Sequence, residues 1–278
     1  MDHKIHQIAM KKSSILLILA VFVLAGKEKT PDYSKILSGV VKVNDGLYCD
    51  KIEVSNFNWL EYLHWTKEND LTQYAANCPD TNVWKSQLTY NEPYRDYYLR
   101  HVAYRDYPVV GASWQQANDF CKWRTARIEE RLKNSGKRDK APKHFFYRLP
   151  TYEEYMMMYN DIAALPNFIG EEGEKKYLGM ARYNMKKEAT ALSAQAGKID
   201  ETADITAPVT SYWPNSFGVY NVKGNVAEWI SEPNTYVGGA WNTPMTADVT
   251  QKQTLDSAAA FVGFRCVCEI SDEELPPM

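Results

Sequence analysis

The sequence is poor in the residues that hold metals and rich in none that grip phosphate. It has five histidines and five cysteines in 278 residues, with no CxxC and no HxxxH or zinc-finger spacing. That argues against a zinc site. Lys and Arg number 32 against 35 Asp and Glu, a net charge of −3. Without a basic surplus there is little to neutralise a phosphate backbone, so nucleic-acid binding is not expected. No apolar run is long enough to span a bilayer as a helix. There is no internal repeat and no clear Gly/Ser/Pro linker. Hydrophobic residues make up 45% and charged residues 24%, which excludes a disordered or collagen-like chain. Aromatics are abundant instead, with 19 Tyr, 8 Trp and 9 Phe. The length supports a substantial core without metals or disulfides.

The N-terminus carries its own signal. Lys11 and Lys12 precede an unbroken apolar run, Ile15 to Ala25, closed by Gly26. Charge, apolar core and small residues in that order define a secretory signal peptide, residues 1–26, with Met10 as an alternative start. Leu24-Ala25-Gly26 also matches the first three positions of a bacterial lipobox. The fourth position is Lys27, which cannot form the lipid thioether. Either ordinary cleavage follows Ala25, or Lys27 replaces a natural cysteine; a lipid anchor is not supported. The expected location is the periplasm or the outer membrane. In such an oxidising compartment cysteines are read first as bridges. Cys49, Cys78, Cys121, Cys266 and Cys268 are an odd set, so at least one is free or pairs between chains. Cys266 and Cys268 lie two apart on a strand-like run and share a face.

After a polar lead-in (27–39), one α+β domain is expected over 40–270, with a tail at 271–278. Val40 to Val54 alternates around Asn44-Asp45-Gly46, a hairpin pattern. Ser55 or Asn56 caps a helix carrying Leu60 and Leu63. Residues 69–107 are rich in Tyr and turn formers and show no sustained period. Ser113 with Gln116 forms a capping box. The helix it opens carries Trp114, Ala117, Phe120, Cys121, Arg124, Ile128 and Leu132 at a 3.6-residue period, and stops at Gly136. Tyr147 to Leu149 reads as a strand. Thr151 with Glu154 opens a second boxed helix, whose Met156 to Met158 fill core gaps. Val237 to Trp241 and Phe261 to Ile270 read as strands.

Four segments then occur in a fixed order. They are Pro108-Val-Val-Gly-Ala-Ser-Trp-Gln-Gln-Ala-Asn-Asp-Phe-Cys-Lys-Trp-Arg124, Tyr147-Arg-Leu-Pro-Thr-Tyr-Glu-Glu-Tyr155, Asn215-Ser-Phe-Gly-Val-Tyr-Asn-Val-Lys-Gly-Asn-Val-Ala-Glu-Trp229, and Gly238-Gly-Ala-Trp241 with Gly263-Phe-Arg-Cys266. Together they resemble the formylglycine-generating enzyme (sulfatase-modifying factor) family over roughly residues 45–270. Lys51 to Asn56, Tyr104 to Gly111 and Ile205 to Val209 look most like its gliding-motility and type IX secretion lipoproteins from Bacteroidetes. The resemblance implies a C-type-lectin-like fold with twisted antiparallel strands, two main helices and much irregular structure.

The family's oxidase binds copper(I) through two cysteines between Trp241 and Gly263. Soft thiolates suit copper(I). The interval Asn242 to Val262 has no Cys and no His; Met245 is its one candidate sulfur. No copper and no catalytic residue are therefore expected. The family's three-histidine iron chemistry has neither the added domain nor the spacing here. Two features are implied by the resemblance. One is a disulfide between Cys121 and Cys266. The other is structural calcium on Asn221, Gly224, Val226 and Glu228, with a second site drawing on Asn184 and Asp204. The expected function is a non-catalytic exported scaffold that binds an envelope protein. Trp84, Tyr90, Tyr94, Tyr97, Tyr98 and Tyr104 would offer a contact face. The alternatives are a carbohydrate-binding protein with an aromatic platform near the calcium loop and, last, a formylglycine-generating oxidase.

Overall fold

A computed structural model describes residues 31–85, 92–171, 173–186 and 205–271. The signal segment 1–26, Tyr90, Asp204 and the tail from 272 lie outside the described residues. The folded unit begins at Asp32, within the polar lead-in. A short helix there, α1 (Ser34–Leu37), buries Leu37 completely, and Tyr147 donates its hydroxyl to the Leu37 carbonyl.

The expected hairpin pairs β1 (Val40–Asn44) with β2 (Leu47–Asp50). Gly46 turns the chain at φ +87°, a conformation that costs a glycine little. Strand β8 (Val267–Ser271) returns from the far end of the chain and inserts between β2 and β3 (His144–Arg148). The sheet order is β1-β2-β8-β3, all antiparallel. Strand alternation divides its side chains between two cores. Tyr48, Tyr147, Cys266 and Cys268 enter one core, and Leu47, Cys49 and Val267 enter the other. Cys266 and Cys268 share a face, as their spacing predicts.

The first core is closed by two helices. Ser55 caps α2 (Asn56–Asn69) and Ser113 caps α5 (Trp114–Asn134), each in a reciprocal capping box. Trp59 of α2 stacks on Phe120 of α5 at 5.5 Å, and Phe264 meets both rings edge-on. The second core is covered by α6 (Tyr152–Asn160), whose Thr151–Glu154 box is also formed. Tyr155 and Met158 are buried there, whereas Met157 is 40% exposed.

The described residues between 69 and 107 hold short helical pieces: α3 (Leu71–Ala76), α4 (Glu92–Tyr97) and single 3₁₀ turns at Thr81–Trp84 and Val102–Tyr104. None is long enough to print a period on the sequence.

A second sheet has the order β6-β5-β4-β7. It comprises β4 (Ala227–Trp229), β5 (Thr235–Val237), β6 (Gln253–Thr254) and β7 (Val262–Gly263). Two strand expectations are corrected here. Gly238 stands at φ +93°, outside the β region, so the strand ends at Val237 and Gly238 to Trp241 continues as loop. The run 261–270 serves two sheets. Val262–Gly263 pairs in parallel with β4, and Val267 onward pairs in the first sheet. Phe264 to Cys266 cross between them, accepting from Val54 and Asp50 amides. Strands are thus antiparallel except for β4 and β7.

Candidate functional site

The crossing segment carries a charge into the interior. Arg265 is fully buried and grips Glu228, also fully buried, through Nε (3.0 and 2.8 Å) and Nη2 (2.6 Å). Its Nη2 also donates to the Tyr220 carbonyl. A second, mostly buried pair lies alongside. Arg124 of α5 donates to Asp50 Oδ2 at 2.6 Å, and the same oxygen accepts the Cys266 amide. A third carboxylate, Glu53, is fully buried and has no guanidinium of its own. Its oxygens accept from Asn225 (2.8 Å) and Asn221 (3.0 Å). Burial pushes Glu53 up to about 7; Glu228 adds to the shift, while Arg265 and the two amides oppose it. Burial likewise raises Glu228, against the pull of Arg265.

The loop that supplies these amides is curled. Asn221, Gly224 and Asn225 all have positive φ. At Gly224 a Cβ would fall 2.8 Å from the Asn184 carbonyl oxygen, so glycine is required there for two reasons. Asn225 accepts the Ala207 amide and an amide hydrogen of Asn184.

The residues expected to hold calcium are therefore near one another but differently employed. Glu228, the charged member of the first set, has both oxygens on Arg265. A divalent cation there would face a guanidinium in a dry interior, so that set does not fit calcium as arranged. Asn221 turns its amide nitrogen to Glu53 and to the Val209 carbonyl. Of the second set, Asn184 Oδ1 is a buried oxygen with no hydrogen-bond partner among the described residues, which fits one hard-cation donor. Its expected companion, Asp204, is outside the described residues. Among the described residues, no group of three or more His, Cys, Asp or Glu is placed to hold a metal ion.

Cys121 and Cys266 are brought together, with sulfurs 3.3 Å apart as two thiols. Both are essentially inaccessible to solvent, and burial pushes the Cys266 thiol well up. Burial also pushes Cys268 up to about 12. In the interval 242–262, Met245 is 8% exposed and packs in the second core with Met185 and Val249. Its sulfur is core packing.

The expected aromatic face is corrected as well. Trp84 and Tyr98 are 3% and 2% exposed and build a third, smaller core with Val110 and Val226. Tyr94 and Tyr104 pack against them, and Trp84 stacks near Trp241 at 6.2 Å. Tyr98 donates its hydroxyl to the Pro108 carbonyl. Asn56 ties the loop down by donating to the carbonyls of Tyr98 and Tyr104. Among the described residues of the expected face, Tyr97 is the well-exposed member, at 57%.

Sequence reasoning placed Arg124 on the α5 stripe but gave it no charge partner, and assigned no role to Asp50, Glu53 or Arg265. Glu53 had a visible cue, a carboxylate between Ile52 and Val54 just before a capped helix. Arg265 sits between Phe264 and Cys266 in the crossing segment, a similar cue.

A mixed α+β framework of this kind, with two small sheets, two long capped helices and long ordered loops, is the C-type-lectin-like fold. The chain belongs to the family described as "Sulfatase-modifying factor enzyme 1-like domain", whose model matches residues 20–270. Formylglycine-generating enzyme from Mus musculus is 26% identical over 211 residues, covering 68% of this chain and 49% of that protein. The Bos taurus enzyme is 26% identical over 275 residues (81% and 66%), and that of Thermomonospora curvata 28% over 206 (59% and 56%). The chain thus spans about half to two thirds of the length of the curated relatives it matches. Among solved structures, CarF is similar at 18% identity and TM-score 0.48, covering 81% of this chain and 87% of that one. Treponema denticola variable protein 1 is similar at 17% and 0.42, covering 84% and 91%. No helix among the described residues is long and apolar enough to cross a membrane.

Proposed function

We propose that this chain is an exported, non-catalytic scaffold of the bacterial envelope, related to the gliding-motility and type IX secretion lipoproteins. The observation that carries the reading is the interval Asn242 to Val262, which has no Cys and no His to hold copper(I). The signal segment supports export to the periplasm or outer membrane. A fold does not fix a function, and family relatives that are oxidases lend this chain a framework only.

Crosslinking in native envelopes, purification of this protein and mass spectrometry test the reading. A reproducible set of envelope proteins in fixed ratio is expected. Recovery of the protein alone would overturn it, as would copper-dependent conversion of a cysteine in a sulfatase-derived peptide. Structural calcium belongs to the same reading at Asn184, where the orphan oxygen supports it. A thermal midpoint raised by calcium and not by magnesium is the expected result there.

A further inference from the structure

A cleft of about 620 Å³ opens between α2, α5 and the segment that follows β2. It is a separate feature from the interval where the oxidases hold copper. Its size lies in the range of small-molecule sites. Helix α2 contributes Asn58, Glu61, His64 and Trp65, which recur on one helical face. Helix α5 contributes Trp123, Arg124, Arg127, Ile128 and Arg131, also on one face.

Three buried side-chain atoms of this lining have no hydrogen-bond partner among the described residues. They are Asp50 Oδ1, Trp123 Nε1 and Arg127 Nε. Buried polar atoms are rarely left so. The contrast within the molecule is sharp: the indoles of Trp59, Trp114, Trp229 and Trp241 each donate to a main-chain carbonyl. The Asp50 side chain is 6% exposed and is fixed by Arg124 and the Cys266 amide through its other oxygen. Arg127 lies over the Trp65 ring at 4.6 Å. The cleft is thus held in shape with one acceptor and two donors unspent.

The charges decide what it takes. Arg124 is spent on Asp50 and Arg127 on Glu130, and Glu61 offsets Arg131 in number, so the lining carries no large free charge of either sign. A site for an anion would carry a positive excess, and an anion offers Asp50 no proton. Hydroxyl groups both donate and accept, so one ligand class can serve an orphan acceptor and orphan donors alike. Ile52, Val54, Phe120 and Ile128 add apolar walls that suit the C–H face of a ring. We propose that this cleft binds a neutral saccharide. The site stands independently of the scaffold reading; it adjoins the loop expected to hold calcium only through Glu53, whose oxygens are taken up by Asn221 and Asn225.

The test uses the full mature chain. Isothermal titration calorimetry and tryptophan fluorescence are run with maltotriose, cellotriose and chitotriose, then with glucose, galactose and N-acetylglucosamine. Glucuronate and inorganic phosphate serve as anionic probes. Saturable binding of a neutral sugar is expected. Preference for a trisaccharide identifies a glycan chain, and equal binding of its monomer identifies a free sugar. Trp123→Phe keeps a ring and removes the indole donor, so affinity should fall about tenfold. Arg127→Lys, which removes the Nε donor at a separate position, should weaken binding similarly. The proposal is overturned by no saturable binding of any neutral sugar, by tighter binding of glucuronate or phosphate, or by two variants that both bind like wild type.

Discussion

Glu53 shows how one buried residue couples stability to pH. Its ordinary value is 4.5, and in the folded protein it is pushed up to about 7. The folded state therefore holds the proton more tightly than the unfolded chain does. The stabilisation is fully present below 4.5 and is lost as pH rises through about 7. The shift corresponds to about 3 kcal/mol. Urea midpoints measured from pH 5 to pH 8 should fall across that window in the wild type. Glu53→Gln should flatten the profile, because the amide has no charge to desolvate. A wild-type midpoint independent of pH would contradict the assignment. At this scale the sequence was partly legible. A carboxylate flanked by Ile52 and Val54 announces burial, but nothing local reveals that Asn221 and Asn225, far along the chain, supply its hydrogen bonds.

Elements that depend on neighbours in sequence were legible, and those that depend on distant partners were not. The Ser113–Gln116 and Thr151–Glu154 boxes need only four residues each, and both formed as their spacing predicts. The Asp45-Gly46 turn likewise set the first hairpin. The parallel pairing of β4 with β7 has no local signature, since Ala227 meets Val262 only after the chain has folded. The inward turn of Trp84 and Tyr98 was equally hidden, because both meet Val110, Val226 and Trp241 only once the chain has folded. Caps of this kind carry measurable stability. Ser113→Ala removes the acceptor of the Gln116 amide and should cost about 1 kcal/mol. Thr151→Ala should cost about the same at the start of α6. Chemical denaturation of the two variants checks this. A silent Ser113→Ala would mean that Gln116, which also donates to the Ala76 and Cys78 carbonyls, fixes the start of α5 without its box.

The unit that begins at Asp32 is closed by contacts between segments far apart in sequence. Strand β8 lies between β2 and β3, so the C-terminal strand cannot leave without opening the first sheet. Cys121 and Cys266 fall at this closure, joining α5 to the crossing segment that carries Arg265. If the chain is exported as proposed, the compartment favours oxidation of such a pair. The bridge would close a loop of 145 residues. Chain entropy assigns such a loop about 4–5 kcal/mol, less any strain in the folded protein. Protein purified from the envelope should therefore unfold at a higher urea concentration without reductant than with it. The Cys121→Ala/Cys266→Ala variant should lose that difference and keep the reduced midpoint to within the cost of two small cavities. Cys49 and Cys268, both buried, provide the control. Substituting either should leave the response to reductant intact, because a bridge at 121–266 does not use them. If reductant has no effect on the wild type, the two sulfurs serve as packed thiols, and the closure rests on the β8 ladder and the Arg265–Glu228 pair alone.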